Sequence, residues 1–195
     1  MSQPKILVFA GSVRAGSFND RLAALAAKEL TLAEVDTTRI SLADYPMPIY
    51  DGDLEAQSGP PDNAVKFKRL MTVHHGVFIA SPEYNASITP LLKNTLDWVS
   101  RVREGSEPPL AVFRHRVFAV AAASNGTLGG YRSLMALRQI LELGCGALVI
   151  PEQLALRQAA SAFDDNGNLS DDAMAKQLRS VLHRLVERAR ELTAK

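Results

Sequence analysis

A single cysteine, Cys145, stands in a chain of 195 residues, which excludes an internal disulfide and any metal site built from cysteines. No apolar run approaches the ~20 residues that a helix needs to cross a bilayer, so no membrane partner is expected. An excess of one charge is missing too, with 22 Lys+Arg against 21 Asp+Glu. Proteins that hold nucleic-acid phosphates carry a basic excess or a dense basic stripe, so nucleic acid is not an expected partner either. Two familiar phosphate motifs are absent. Without G-x-x-x-x-G-K-S/T, nucleoside triphosphate hydrolysis lacks its lysine, and there is no G-x-G-x-x-G dinucleotide fingerprint. Met1 to Lys5 lead straight into a strand-like run and hold no signal-peptide cleavage pattern. Long linkers, internal repeats and low-complexity tracts are also missing. What remains is 47% hydrophobic and 22% charged, the balance of a compact globular protein. We expect one cytoplasmic domain over residues 1–195.

Four short apolar runs, Ile6–Ala10, Gly76–Ala80, Val117–Ala123 and Ala147–Ile150, are continuous rather than alternating, which marks strands buried on both faces of a parallel sheet. Val35–Leu42 is a weaker, alternating strand. Between them lie helical stretches: from Asn19, with Leu22, Leu25, Ala26 and Leu30 on one face; Asn63–Val73; and Thr89–Val99. The last opens on Thr89 as cap and Pro90 at the first helical position. Tyr131–Leu143 reads as a helix closed by Gly144, and a final helix is capped by Ser170, with Leu178, Val181, Leu182, Leu185, Ala189 and Leu192 facing the core. Tyr45–Pro61, rich in proline and glycine, reads as mostly loop. Strands alternating with helices five times define a doubly wound α/β fold, a five-stranded parallel sheet in the order 2-1-3-4-5 with helices on both faces.

In such a sheet a ligand binds outside the carboxyl ends of the strands, at the switch point between strands 1 and 3. That rule selects three loops. Gly11-Ser12-Val13-Arg14-Ala15-Gly16-Ser17-Phe18-Asn19 opens the first helix, and its backbone N–H groups, hydroxyls, amide and arginine suit a phosphate; a plain serine cap explains this loop alone equally well. Ser81-Pro82-Glu83-Tyr84-Asn85 crowds polar and aromatic groups where the edge of a planar ring could meet them, and alone it reads as a surface turn. Ser124-Asn125-Gly126-Thr127-Leu128-Gly129-Gly130 has glycines that either admit a flat ligand or simply make the turn. Together the three favour a ligand that carries both a phosphate and a ring.

The series G-S-x-R-x-G-S-x-N at Gly11–Asn19, S-P-E-Y-N at Ser81–Asn85, L-K-N-x-x-D-W at Leu92–Trp98 and S-x-G-x-x-G-G at Ser124–Gly130 resembles the NAD(P)H-dependent FMN reductase family. The resemblance runs in order from Lys5 to about Leu143, with a looser echo in Phe163–Asp172. It implies a flavodoxin-like fold, FMN as cofactor and NAD(P)H as co-substrate. Hydride would pass from the nicotinamide to flavin N5, and electrons onward to a quinone, azo compound, chromate or free flavin. Carried over by position, Gly11, Ser12, Arg14, Ser17, Phe18 and Asn19 would surround the FMN phosphate. Pro82, Glu83, Tyr84 and Asn85 would contact the isoalloxazine, and Ser124, Asn125, Gly126 and Gly129 its other side. No side-chain nucleophile or general base is implied, since the cofactor carries the chemistry. A homodimer or homotetramer is implied as well. The sequence departs from the family pattern between Arg101 and His115, where Arg101–Gly105 is longer and more charged.

The alternatives are a flavodoxin-type electron carrier, which the near-neutral charge and Arg14 disfavour, and a phosphate-ligand-binding regulator without turnover. His74 and His75 are adjacent on a helix end and point to different sides, a poor pair for a shared metal. Cys145 reads as a small buried hydrophobe. Trp98 serves either a core or an interface, and the resemblance favours an interface role for its helix. Arg184, Arg188 and Arg190 read as a solvated face.

Overall fold

The computed structural model describes residues 3–193, so the first two and last two residues of the expected domain lie outside the described part. Five parallel strands, β1 (Lys5–Ala10), β2 (Asp36–Arg39), β3 (Gly76–Ala80), β4 (Val117–Ala123) and β5 (Leu148–Leu156), form one sheet in the order β2-β1-β3-β4-β5. Alternate residues of each central strand face opposite sides. Ile6, Val8, Phe78 and Ala80 pack with α1 (Phe18–Leu32) and α7 (Asp172–Thr193). Leu7, Phe9, Val77 and Ile79 pack with α3 (Asp62–Thr72), α4 (Pro90–Arg101) and α6 (Tyr131–Arg138). Covering both faces with helices is what made the strand sequences continuously apolar.

Three local expectations are corrected, and a fourth gains a helix. Residues 45–61 are mostly loop as expected, with one helix among them, α2 (Gly52–Ser58), capped by the Asp51 carboxylate, which accepts from the Asp53 and Leu54 N–H groups at 2.7 and 3.3 Å. None of its residues is buried, so it has no apolar stripe to read. The helix expected to end at Gly144 stops at Arg138 and passes into a π-helical turn, Gln139–Gly144; the left-handed glycine is Gly146, at φ +65°. The last strand runs on to Leu156 through Pro151, because residues 150–152 stand opposite Ala119 alone and Pro151 is excused from the ladder. The last helix is capped by Asp171 rather than Ser170, its carboxylate accepting from the Ala173 N–H at 2.7 Å and the Met174 N–H at 3.3 Å.

The L-K-N-x-x-D-W stretch on α4 turns inward. Trp98 is fully buried, stacks edge-on with Tyr50 at 5.0 Å and donates from Nε1 to the Pro48 carbonyl at 2.8 Å. Asn94 donates to that same carbonyl at 2.8 Å and accepts from the Tyr50 N–H at 2.8 Å. Trp98 therefore leaves no surface for another subunit, and this helix face holds residues 48–50 of its own chain instead. A short helix, α5 (Ala111–Arg114), precedes β4, and the buried Arg116 guanidinium donates to the Thr72 and Val112 carbonyls at 2.6 and 2.9 Å.

The charged stretch after α4 folds back onto α3. Lys68, 2% exposed, pairs with Glu104 at 3.2 Å and with Glu107, while Arg69 holds the other Glu104 oxygen at 2.7 Å. Hydrogen bonding to Arg69 lowers the Glu104 pKa below its ordinary value, and the bond from Lys68 does the same for Glu107. A carboxylate with a depressed folded-state pKa stabilises the fold above its unfolded value, about 4.3 for Glu, and loses that contribution as pH falls through the folded value. Hydrogen exchange of residues 102–110 is therefore expected to stay protected through neutral pH and to open only in acid, below the usual glutamate range. Protection that does not change across that acid window would show that the two pairs do not hold the segment.

Candidate functional site

The carboxyl ends of β1, β3 and β4 lie side by side, and each hands its chain to one of the three loops. They are fastened to one another by main-chain bonds. The Gly11 N–H donates to Ala80 at 2.9 Å, the Ser81 N–H to Ala121 at 2.7 Å and the Ser124 N–H to Leu156 at 3.0 Å. Gly11 also meets α4: a Cβ there would lie 2.9 Å from Leu92 Cδ2 and 3.1 Å from its Cβ, so a side chain at this position would push Leu92 aside. The Gly11 carbonyl accepts from the Thr89 hydroxyl at 2.6 Å, and that same oxygen caps α4 by accepting from the Leu92 N–H at 3.1 Å. Thr89 was legible as a cap but not as a tie to the first loop, whose partner lies 78 positions away.

Within the first loop, Gly16 takes φ +67° and the chain turns into α1 at Ser17. Ser17 is 3% exposed and occupies the cap position, yet its side chain makes no capping bond. The leading N–H groups of an α-helix have no partner within the helix, so this end presents donors and the positive end of the helix dipole. The Ser12 hydroxyl accepts from the Arg14 N–H at 3.3 Å. The exposed Arg14 guanidinium reaches only the neighbouring Ala15 carbonyl, at 3.3 Å, and has no ion pair among the described residues. Phe18 is half-buried against the α1–α7 side of the core. Asn19 is turned elsewhere: its amide donates to the Ala123 carbonyl and accepts from the Ala123 N–H, both at 2.9 Å, tying α1 to the end of β4.

The second loop is a tight turn in which Tyr84 and Ser87 exchange main-chain bonds of 2.9 and 3.0 Å. Asn85 and Ala86 both take positive φ, +51° and +65°, a conformation unusual for alanine and a sign of local strain. Tyr84 projects from it half-exposed, while Pro82 is buried beside Gly11. The Glu83 carboxylate faces α6. One oxygen accepts from the Arg132 and Ser133 N–H groups at 3.1 and 3.3 Å, and the other takes Arg132 Nε at 2.7 Å. The buried Ser133 hydroxyl donates at 2.7 Å to the Gly130 carbonyl, with the Ser81 carbonyl a longer 3.3 Å away.

In the third loop the glycines divide. A Cβ at Gly129 would lie 2.7 Å from the Ala155 carbonyl oxygen, and one at Gly130 would lie 2.7 Å from Ala122 Cβ. Those two face the sheet rather than the groove; Gly126 is open apart from Ser124 Oγ. Ser124 accepts from the Ala159 N–H at 3.2 Å and the Asn125 side chain accepts from the Ala160 N–H at 2.8 Å, so the segment after β5 buttresses this loop. The remaining polar candidates serve the fold. His74 Nδ1 bonds the Leu70 carbonyl at 2.7 Å, and His75 Nδ1 accepts from the Lys5 N–H at 3.0 Å. Burial pushes the Cys145 thiol up to about 11, which keeps it protonated and a poor nucleophile. Arg184 pairs with Glu152 and Glu187, and Arg188 with Glu191.

Three helices, α1, α4 and α6, start at this rim; α4 is capped by Thr89, and the other two differ. The start of α6 is closed by a carboxylate of the protein itself, while α1 keeps its donors, a hydroxyl on Ser17 that makes no capping bond and an arginine without an ion pair among the described residues. That suits one phosphate, held at α1, with a planar group lying towards the second and third loops. This is the arrangement of a flavodoxin-like mononucleotide-binding protein. The chain belongs to the NADPH-dependent FMN reductase family, whose model matches residues 4–161. An NAD(P)H-dependent FMN reductase of Pseudomonas aeruginosa is 33% identical over 183 residues, covering 93% of this chain and 92% of that protein. An NAD(P)H:quinone oxidoreductase of Solanum tuberosum is 35% identical over 199 residues, covering 100% and 98%. Among solved structures, FerB, a flavoenzyme NAD(P)H:(acceptor) oxidoreductase from Paracoccus denitrificans, superposes with a TM-score of 0.78 at 24% identity, over 96% of this chain and 98% of that one. The chain is an oxidoreductase that uses FMN, with NAD(P)H as electron donor and a small molecule as acceptor. No helix among the described residues is long and apolar enough to cross a membrane.

Proposed function

We propose that this protein holds FMN along the shared rim of β1, β3 and β4 and uses it to carry electrons from NAD(P)H to a quinone. The start of α1 carries the reading: its cap residue, Ser17, leaves its hydroxyl uncommitted while the neighbouring α6 is already closed by Glu83. The phosphate would lie on the α1 N–H groups with Ser12, Ser17 and Arg14 around it, and the isoalloxazine against Pro82, Tyr84 and Asn85 on one side and Ser124 and Gly126 on the other. When bound, FMN supplies the hydride acceptor and the onward donor. The chain's own contribution is to bind, to orient and to leave one ring face open to both substrates. In this reading Asn19, Glu83, Asn125 and Gly129 position the loops, through Ala123, α6, Ala160 and Ala155 respectively. The whole chain acts as one cytoplasmic domain, and copies pair as a homodimer or homotetramer.

The quinone is favoured by the relatives named above; azo compounds, chromate and free flavin are the competing acceptors. The test is steady-state oxidation of NADH and NADPH by purified protein with added FMN, with each acceptor in turn and no partner protein. Consumption that saturates in a quinone, with the parallel double-reciprocal lines of an alternating mechanism, is expected. Reduction that proceeds only when a partner protein accepts the electrons would make this an electron carrier instead.

A further inference from the structure

The third loop has a second side. Behind it, over the open edge of β5 and between the starts of α6 and α7, lies a cavity of about 340 Å³ lined by Thr127, Leu128, Tyr131, Gln153, Arg157 and Met174 among others. Its volume falls within the roughly 300–1,000 Å³ of small-ligand pockets. Arg157 is its one charged lining residue, and it has no hydrogen bond or ion pair among the described residues. The neighbouring arginines are otherwise engaged: Arg132 with Glu83, Arg138 with Glu142, Arg184 with Glu152. An unopposed guanidinium in a concave site selects an anion, and its planar fork matches phosphate oxygens in particular. Beside it Tyr131, 46% exposed, offers an aromatic face and Leu128 and Met174 an apolar one, which suits a purine ring. Gln153 and Thr127 add polar edges. A larger cavity of about 400 Å³ shares Thr127, Arg157 and Met174 with this one but is also lined by Asp171, whose charge disfavours an anion on that side.

We propose that this cavity receives the adenosine end of NADPH, with Arg157 on the 2′-phosphate and the adenine against Tyr131. The inference rests on the reading that the chain oxidises NAD(P)H at the rim, since the third loop is the wall between the two sites: a dinucleotide whose nicotinamide meets the flavin would cross it to reach Arg157. It separates NADPH from NADH, because NADH carries no phosphate for Arg157 to hold. Arg14, the other unpaired arginine beside the groove, belongs in this scheme to the FMN phosphate.

The test is steady-state turnover of FMN-loaded wild type, Arg157→Gln and Tyr131→Ala with each nicotinamide, together with calorimetric binding of adenosine 2′,5′-bisphosphate and of 5′-AMP. Arg157→Gln is expected to raise KM for NADPH on the order of tenfold while kcat and the KM for NADH stay as in wild type. The bisphosphate should bind wild type and lose about tenfold in affinity in the same variant, with 5′-AMP unchanged. Tyr131→Ala should raise KM for both nicotinamides alike. If Arg157→Gln shifts NADH and NADPH equally, or the bisphosphate binds both proteins the same, the proposal is overturned. Arg14→Gln removing the NADPH preference would overturn it too and move the 2′-phosphate to the first loop. Should neither nicotinamide be oxidised by any of the proteins, the functional reading fails, whereas bisphosphate binding that depends on Arg157 would still establish the cavity as a nucleotide subsite.

Discussion

Replacing Arg14 and Ser17 together by alanine lowers FMN affinity about a hundredfold and leaves riboflavin affinity unchanged; each lost bond costs about tenfold, at 1.4 kcal/mol per decade. The size follows from the kind of bond, since a hydrogen bond to a charged group contributes roughly 1.5–3 kcal/mol. The Ser17 hydroxyl is not used in capping, so in the proposed site its loss would remove a ligand contact and leave the helix start otherwise as it was. Arg14 is exposed and holds no carboxylate, so its contribution shrinks as salt rises and screening shortens its reach. Riboflavin has no phosphate and serves as the internal control. Titrating the apoprotein with both flavins at low and high salt reads all of this at once. Equal losses for FMN and riboflavin would place the phosphate elsewhere.

The three loops could be found in the sequence because two general rules agree there: α/β sheets bind ligands at the carboxyl ends of strands, and glycine with small polar residues is what such turns require. The strands themselves were legible because burial on both faces writes itself as runs such as Ile6–Ala10 and Val117–Ala123. Other features carried no local mark. Helix α2 has no fully buried residue and packs only Leu54 against the Trp98 cluster, so no periodicity announces it, and Pro151 conceals a strand that continues past it by bulging. The division of labour inside the loops was equally hidden. Asn19 bonds Ala123 and Glu83 bonds Arg132, over separations of 104 and 49 residues, and a polar side chain gives no sign in sequence of whether it faces a ligand or its own backbone. Gly129 is the sharpest case, since its missing Cβ faces Ala155 of β5 and not the groove.

Glu83 is the residue whose reassignment has the widest consequence. All four groups bonded to its carboxylate are donors: two main-chain N–H groups of α6 and two nitrogens of Arg132. Glutamine has one acceptor oxygen and one amide donor, so in this position it satisfies half of them and turns its own N–H₂ towards the rest. Glu83→Gln is therefore expected to behave nearly as badly as Glu83→Ala, each losing about 1–3 kcal/mol of stability from uncapped and unpaired donors. What distinguishes it from an ordinary helix cap is what it holds: the tight turn with Tyr84 at its tip and Asn85 and Ala86 at positive φ. With the strut gone the turn loses its fixed angle to the third loop, and the planar part of any flavin loses its seat. Both variants should weaken FMN and riboflavin by the same factor, on the order of tenfold, assuming loss of one hydrogen-bonded contact. In the proposed site the first loop would discriminate between the two flavins by phosphate alone, whereas the Glu83 strut, which holds the second loop to α6, would not discriminate. Measured side by side, a Glu83 variant that lost FMN but kept riboflavin would put the carboxylate in the phosphate site, against its bonds to α6; a variant that kept both flavins while melting earlier would leave it a cap and nothing more.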